Sequence, residues 1–119
     1  METNSCDHQP VWNASALDKQ VGQNAALQAR LLAKFLLGSS LQVTELTEAA
    51  NKGQCDKVAQ IAHQLKASAR SVGAMQLGES CQFAEAAGHA GHTHECQVLV
   101  THIQERYAEV SQIIRESLD

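Results

Sequence analysis

A-H-Q-L-K-A-S-A-R-S-V-G-A-M-Q-L, residues Ala62 to Leu77, is the stretch from which the architecture of this 119-residue chain follows. Around it Val58, Ile61, Ala62, Leu65, Ala69 and Val72 recur in steps of three and four, the pattern of one buried helix face. At roughly 100° per residue, His63 falls about 140° from the centre of that stripe. Lys66 and Arg70 fall on the same outer side. The periodicity therefore predicts an imidazole and two cations that face water or a partner, not the core. Gly73 ends the helix, because only glycine takes a positive φ at little cost.

Downstream, a helix is predicted from Ala74 or Met75 to Ala87, with Ala74, Leu77, Cys81 and Ala84 inward and Gln82 and Glu85 on a flank. Gly88 to Thr93 reads as a loop. A last helix, about His94 to Ser117, buries Val100, Ile103, Tyr107, Val110 and Ile114. Upstream, Asn24 opens a long helix from Ala25 to about Asn51, with Gly53 as its stop. Its leucines, Leu37 and Leu41 among them, cover more than one stripe, so several packing neighbours are expected. Gly38-Ser39-Ser40 is a local weakness at which that helix can bend. Asn13 caps a short helix, Ala14 to Val21, with Trp12 and Leu17 as a hydrophobic staple and Gly22 as its end. Residues 1–11 are polar and unpatterned, expected to be disordered or loosely attached, with the domain running over 12–119. No period-two stretch occurs and the connections are short. The expected fold is all-α: an antiparallel up-down-up-down four-helix bundle with a short additional N-terminal helix across one end.

Composition agrees with a single domain of this kind. Hydrophobic residues make up 44% but aromatics only 3%, so the core is built of Leu, Ala, Val and Ile in close-packed helices. A net charge of −4 without a basic cluster argues against nucleic-acid binding. No signal peptide and no bilayer-length apolar run are present, so a soluble, cytoplasmic protein is expected, and a monomer because the apolar face of each helix is consumed within the bundle. Cys6, Cys55, Cys81 and Cys96 are widely spaced and are expected as free thiols. No P-loop exists: Gly73 to Gly78 has the glycine spacing but lacks the Lys-Ser/Thr that follows. The chain is therefore expected to have no ATP site and no cofactor.

His63, Leu65, Lys66, Ala67, Ser68, Gly73, Ala74 and Leu77, continuing into Cys81 and Glu85, resemble the signature of histidine-containing phosphotransfer (HPt) domains. The general resemblance spans residues 13–118. It implies that His63 takes a phosphoryl group from a receiver-domain aspartate of a hybrid sensor kinase and passes it to the receiver of a response regulator. The chain would then be a relay intermediate, with any Mg²⁺ held by the receiver. The chemistry of the residues is compatible with that. A neutral imidazole is a nucleophile near pH 7, and phosphoryl transfer needs in-line placement and cationic compensation more than covalent machinery. Lys66, one turn on, can supply the compensation and Arg70 is a second candidate. Ala59 and Ala67, one turn to either side, are expected to leave an open surface for a bulky partner. Glu85 matches a family position that carries a hydrogen-bonding Glu or Gln near the imidazole, and Gln82 lies beside it on the same flank.

A rival constellation lies further on. His89, His92, His94 and Cys96, with Glu95 and His102 nearby, are residue types that ligate Zn²⁺, Ni²⁺ or Cu²⁺. Their spacing matches no standard structural zinc pattern, and a His-rich interhelical loop is the plainer reading. The alternatives to the relay are thus a metal-binding helical module using that cluster, or an adaptor bundle that is never phosphorylated.

Overall fold

The computed structural model describes residues 9–119. A 3₁₀ turn, Ala14–Leu17, runs into a one-turn helix α1, Asp18–Val21. Four long helices follow: α2 (Ala25–Asn51), α3 (Cys55–Val72), α4 (Met75–Ala90) and α5 (Thr93–Leu118). No strand occurs among the described residues. Because each connection is only two or three residues long, sequential helices reverse direction. α2 packs on α3, α3 on α4, α4 on α5, and α5 closes back on α2, while the diagonal pair α3 and α5 scarcely touch. The result is the four-helix bundle expected from the periodicity.

Each helix starts and stops where the chain supplies the chemistry. The Asn24 side chain accepts from the Leu27 amide at 3.0 Å to cap α2, and Asn13 accepts from Ser15 at 3.2 Å ahead of the short turn. α3 ends at Gly73, whose φ of 91° lies in the left-handed region. A Cβ there would also collide with the Asn13 carbonyl. Glycine is thus required at this turn twice over, by backbone conformation and by the close approach of the N-terminal segment. That segment is held across the α3–α4 turn. The Asn13 amide donates to the Gly73 carbonyl at 2.7 Å and the Trp12 indole N–H to the Val72 carbonyl at 2.9 Å. Gln76 donates through its amide to the Pro10 carbonyl and through its side chain to the Gln9 carbonyl. Of the segment expected to be loose, residues 1–8 lie outside the described residues, whereas Gln9, Pro10 and Val11 make these bonds or pack on the core.

The buried faces follow the predicted stripes. Val58, Ile61, Ala62, Leu65, Ala69 and Val72 of α3 are all buried, as are Ala74, Leu77, Cys81 and Ala84 at and along α4. Val100, Ile103, Val110 and Ile114 of α5 complete the core. Tyr107 is half-buried and its hydroxyl donates to the Leu36 carbonyl on α2 at 3.1 Å. At about 2 kcal/mol per buried large aliphatic side chain, this apolar interior is the main source of stability.

Two expectations are corrected. The second stripe of α2 is not covered: Leu37 and Leu41 are 73% and 64% exposed. Along its length the helix packs on α3 and α5 from one side, and α1 meets it only at its start. The loop expected over residues 88–93 shrinks to Gly91 and His92. α4 continues through Gly88 because that glycine serves packing: a Cβ on it would lie 2.7 Å from the Cys55 carbonyl and 2.9 Å from the Ala59 Cβ. Gly91, with φ of 74°, is the residue that ends α4.

Candidate functional site

His63 sits in the middle of α3 with 64% of its side chain exposed, as its helical phase predicts. Relative to His63, the angular positions of Ala59, Lys66 and Arg70 are displaced to one side by about 20–60°, and those of Gln60, Gln64 and Ala67 to the other. The first side is where α4 lies. This divides the exposed face of α3 into a flank that meets side chains of α4 and a flank open to solvent.

On the covered flank, Glu85 of α4 is the hub. Its Oε2 lies 2.9 Å from His63 Nδ1, and its Oε1 accepts from Lys66 Nζ at 2.7 Å. His89, one turn further along α4, brings Nε2 to 3.7 Å from the same Oε2. The hydrogen bond from Lys66 and, after it, the one from His63 hold the Glu85 carboxyl below its ordinary range, against the opposing effect of desolvation. Glu85 is therefore ionised and can only accept. The proton of the shared hydrogen bond must belong to Nδ1, which leaves Nε2 of neutral His63 with its lone pair. No hydrogen bond or ion pair engages Nε2 among the described residues. The carboxylate thus selects one tautomer and leaves the basic nitrogen free on an exposed imidazole.

A second rung repeats the arrangement one turn along. Arg70 Nη2 donates to Gln82 Oε1 at 2.7 Å and lies 3.9 Å from Glu79 Oε1. Its methylene stem crosses α4 over Gly78, where a Cβ would come within 2.9 Å of Arg70 Cγ. Arg70 and Gln82 therefore clamp α3 to α4 beside the Lys66–Glu85 pair, and Arg70 remains partly exposed at the edge.

The open flank is small-residue and polar. Ala67 is exposed and Ser68 half-buried, with the Ser68 hydroxyl returned to the Gln64 carbonyl at 3.1 Å. Ala59 does not join it. Expected on the exposed face, it is 2% exposed, because its phase points it at α4 and Gly88 has no side chain to hold that helix away. A shallow depression of about 430 Å³ surrounds the imidazole, lined by Asp56, Gln60, His63, Gln64, Glu85 and His89, with the buried Ala59 at its floor. Of these, Asp56, Gln60, Gln64 and His89 are not connected with His63 by the sequence reading. The available signal was the four-residue step from Glu85 to His89, hidden by the expectation that α4 stopped at Ala87.

The candidate metal ligands are not brought together. His89 is on the last turn of α4 and turns to Glu85, whereas His92 in the turn pairs with Glu95 at 3.0 Å. His94 is exposed on the first turn of α5, and Cys96 is buried in the core. Among the described residues no three His, Cys, Asp or Glu side chains converge on a point that would hold a metal ion. Nor, among them, is any helix long and apolar enough to cross a membrane.

The family model described as "Hpt domain" matches residues 30–113, which include every side chain of the hub and the clamp. In fold, the chain is similar to the crystal structure of histidine-containing phosphotransfer protein B from Pseudomonas aeruginosa PAO1. The TM-score is 0.85 at 20% identity, covering 92% of this chain and 95% of that one. No curated protein sequence matches significantly.

Proposed function

The chain belongs to the Hpt domain family of histidine phosphotransfer in two-component signalling, and on that premise we propose that His63 is its phosphoacceptor in a multistep phosphorelay. The observation that carries the reading is the Glu85 carboxylate on Nδ1, which leaves the Nε2 lone pair of an exposed imidazole free. Nε2 attacks the phosphorus of an aspartyl phosphate on a receiver domain. The N–P bond forms as the acyl-phosphate O–P bond breaks, and the electron pair leaves with the receiver's carboxylate. Nδ1 keeps its proton against Glu85 and shares the positive charge that develops on the ring. The reverse of this step, onto the aspartate of a second receiver, discharges the phosphoryl group. The donor would be the receiver of a hybrid sensor kinase and the acceptor that of a response regulator.

Lys66 supplies the charge compensation. Its ammonium is anchored beside the imidazole by Glu85 and can swing to an equatorial phosphoryl oxygen once the group arrives. Glu85 would then remain to hold the ring. Ala67 and Ser68 on the open flank leave room for the receiver to approach, while Arg70 and Gln82 keep α4, and with it Glu85, in register. This chemistry asks for no nucleotide site in the chain, and any Mg²⁺ would belong to the receiver's acidic site. One chain contributes all these groups, so a monomer suffices.

The test is direct labelling. Incubation with a phosphorylated receiver should yield one acid-labile, base-stable phosphate per chain, mapped to His63, and His63→Gln should abolish it. Because His63 is exposed, the variant should keep its stability to within about 0.5 kcal/mol. Phosphate that persists in the variant, or that maps to His89, sinks the assignment.

A further inference from the structure

At the end of the bundle where α3 and α5 both begin, two thiols meet. Cys55 is the first residue of α3 and is half-buried. Its Sγ lies 3.5 Å from the hydroxyl of Thr93, the first residue of α5. Cys96 follows one turn along α5, so it lies on the same face as Thr93. It is 1% exposed, and the Cys55 thiol, held at Thr93, is a close enough neighbour to act on it. Both cysteines are free. Cys81, the other described cysteine, is fully buried between α4 and α3, and no second thiol is among the groups that act on it.

The two members of the pair differ in a way that assigns them roles. Cys55 reaches the surface, so a small oxidant can approach its sulfur. Cys96 lies behind it, and burial, with a further contribution from Cys55, pushes its thiol up to about 11. It stays protonated and shielded until its neighbour has reacted. An accessible thiol backed by a shielded neighbouring one is the arrangement of an attacking and a resolving cysteine.

We propose that Cys55 and Cys96 are a reversible oxidative modification site, a dithiol that a small hydroperoxide converts into a disulfide between the first turns of α3 and α5. The Cys55 thiolate attacks one peroxide oxygen. The S–O bond forms, the O–O bond breaks, and the leaving oxygen departs as water or alcohol after taking a proton. Cys96 then loses its proton and attacks the Cys55 sulfur. The S–S bond forms, the S–O bond breaks, and the sulfenic oxygen leaves as water. Two electrons pass from the two thiols to the peroxide. The geometric demand is that the sulfurs close to about 2.05 Å, which side-chain rotation at the start of a helix can supply. The loop so closed contains His63 and all of α4. The cross-link would therefore tie the two helix starts together around the Gly88 contact on Cys55.

The test uses the whole chain carrying Cys6→Ser, which removes a thiol outside the described residues. Stoichiometric hydrogen peroxide followed by alkylation and peptide mapping should yield one intramolecular Cys55–Cys96 link. The intact mass should fall by two hydrogens and return with dithiothreitol. The oxidised form should melt higher, because the link restricts the unfolded chain. In Cys96→Ala, Cys55 should stop at the sulfenic acid and be trapped by dimedone several-fold more than in the parent. Equal trapping in the two proteins, or oxidation that yields only dimers through Cys55, overturns the proposal. If Cys96→Ala fails to fold, the link map of the parent decides alone, and its absence overturns the proposal.

Discussion

Two histidine-bearing regions of this molecule make opposite use of similar material. The stretch from His63 to Arg70 holds one imidazole and two cations, spaced by three and four residues on one helix. The stretch from His89 to Cys96 is denser, with three imidazoles, a carboxylate and a thiol in eight residues. Yet the sparse region is the one built into a site. Its side chains meet Glu85 and Gln82 across the α3–α4 interface, whereas the dense one is divided by the turn at Gly91 and His92. Helical phase and a partner on the adjacent helix make a site. Local density of reactive residues does not.

The largest effect short of removing His63 is expected at Lys66, where the comparison predicts a cation tuned by its cross-helix partner. Lys66→Ala should lower the maximal transfer rate by about tenfold to a hundredfold and shorten the lifetime of phospho-His63, as loss of a charge-compensating donor does. Receiver affinity should be nearly unchanged, because the ammonium matters chiefly once the phosphoryl group is in flight. Rapid-quench time courses at several receiver concentrations separate the two quantities. Ala67→Leu, on the open flank, should do the reverse: weaker apparent affinity with an unaltered intrinsic lifetime. A Lys66 effect confined to affinity would make it a docking residue.

Glu85→Gln should have a smaller effect, roughly a tenfold loss of rate, since a neutral amide still accepts from Nδ1–H but orients it less firmly. It also carries a pH signature. The folded-state pKa of Glu85 is lowered from the ordinary 4.5, first by Lys66 and then by His63. Its contribution to stability is therefore present above the unfolded value and is lost as pH falls through the lowered folded one. Thermal melts of the parent and Glu85→Gln should differ above about pH 5, by roughly 1 kcal/mol or less given the partial exposure of the pair. They should converge in more acidic buffer. A gap that widens on acidification would mean that the carboxyl is not stabilised by its two hydrogen-bond donors.

How much of this was legible in the sequence depends on which physical quantity it needed. The stripes of α3, α4 and α5 follow from period alone, and so does the outward phase of His63. Ala59 was misplaced because period gives an angle but not the side on which the neighbouring helix lies. Ala59 and Ala67 flank His63 symmetrically in sequence, and only the placement of α4 makes one buried and the other exposed. The extent of α4 was misjudged for a related reason. Gly88 reads locally as a stop, but it is in the helix because Cys55 and Ala59 approach too closely for any side chain. The hub at Glu85 was visible only through the family resemblance, since its bonds to His63 and Lys66 join residues far apart in sequence.

The smallest effect is expected in the dense region, and there the comparison is tested most severely. His92→Gln combined with His94→Gln should leave phosphotransfer unchanged and shift stability by no more than about 0.5 kcal/mol. His92 loses only an exposed contact with Glu95, and His94 projects from the exposed first turn of α5. His89 is deliberately kept, because its imidazole belongs to the Glu85 hub and not to the turn. The double variant should also match the parent in zinc titrations followed by calorimetry, since Cys96 is shielded in the core and no shared coordination point exists for the remaining groups. A stoichiometric zinc site lost on this substitution would show that the turn rearranges around a metal. It would also show that side-chain density, given a metal to gather it, builds a site without a facing helix.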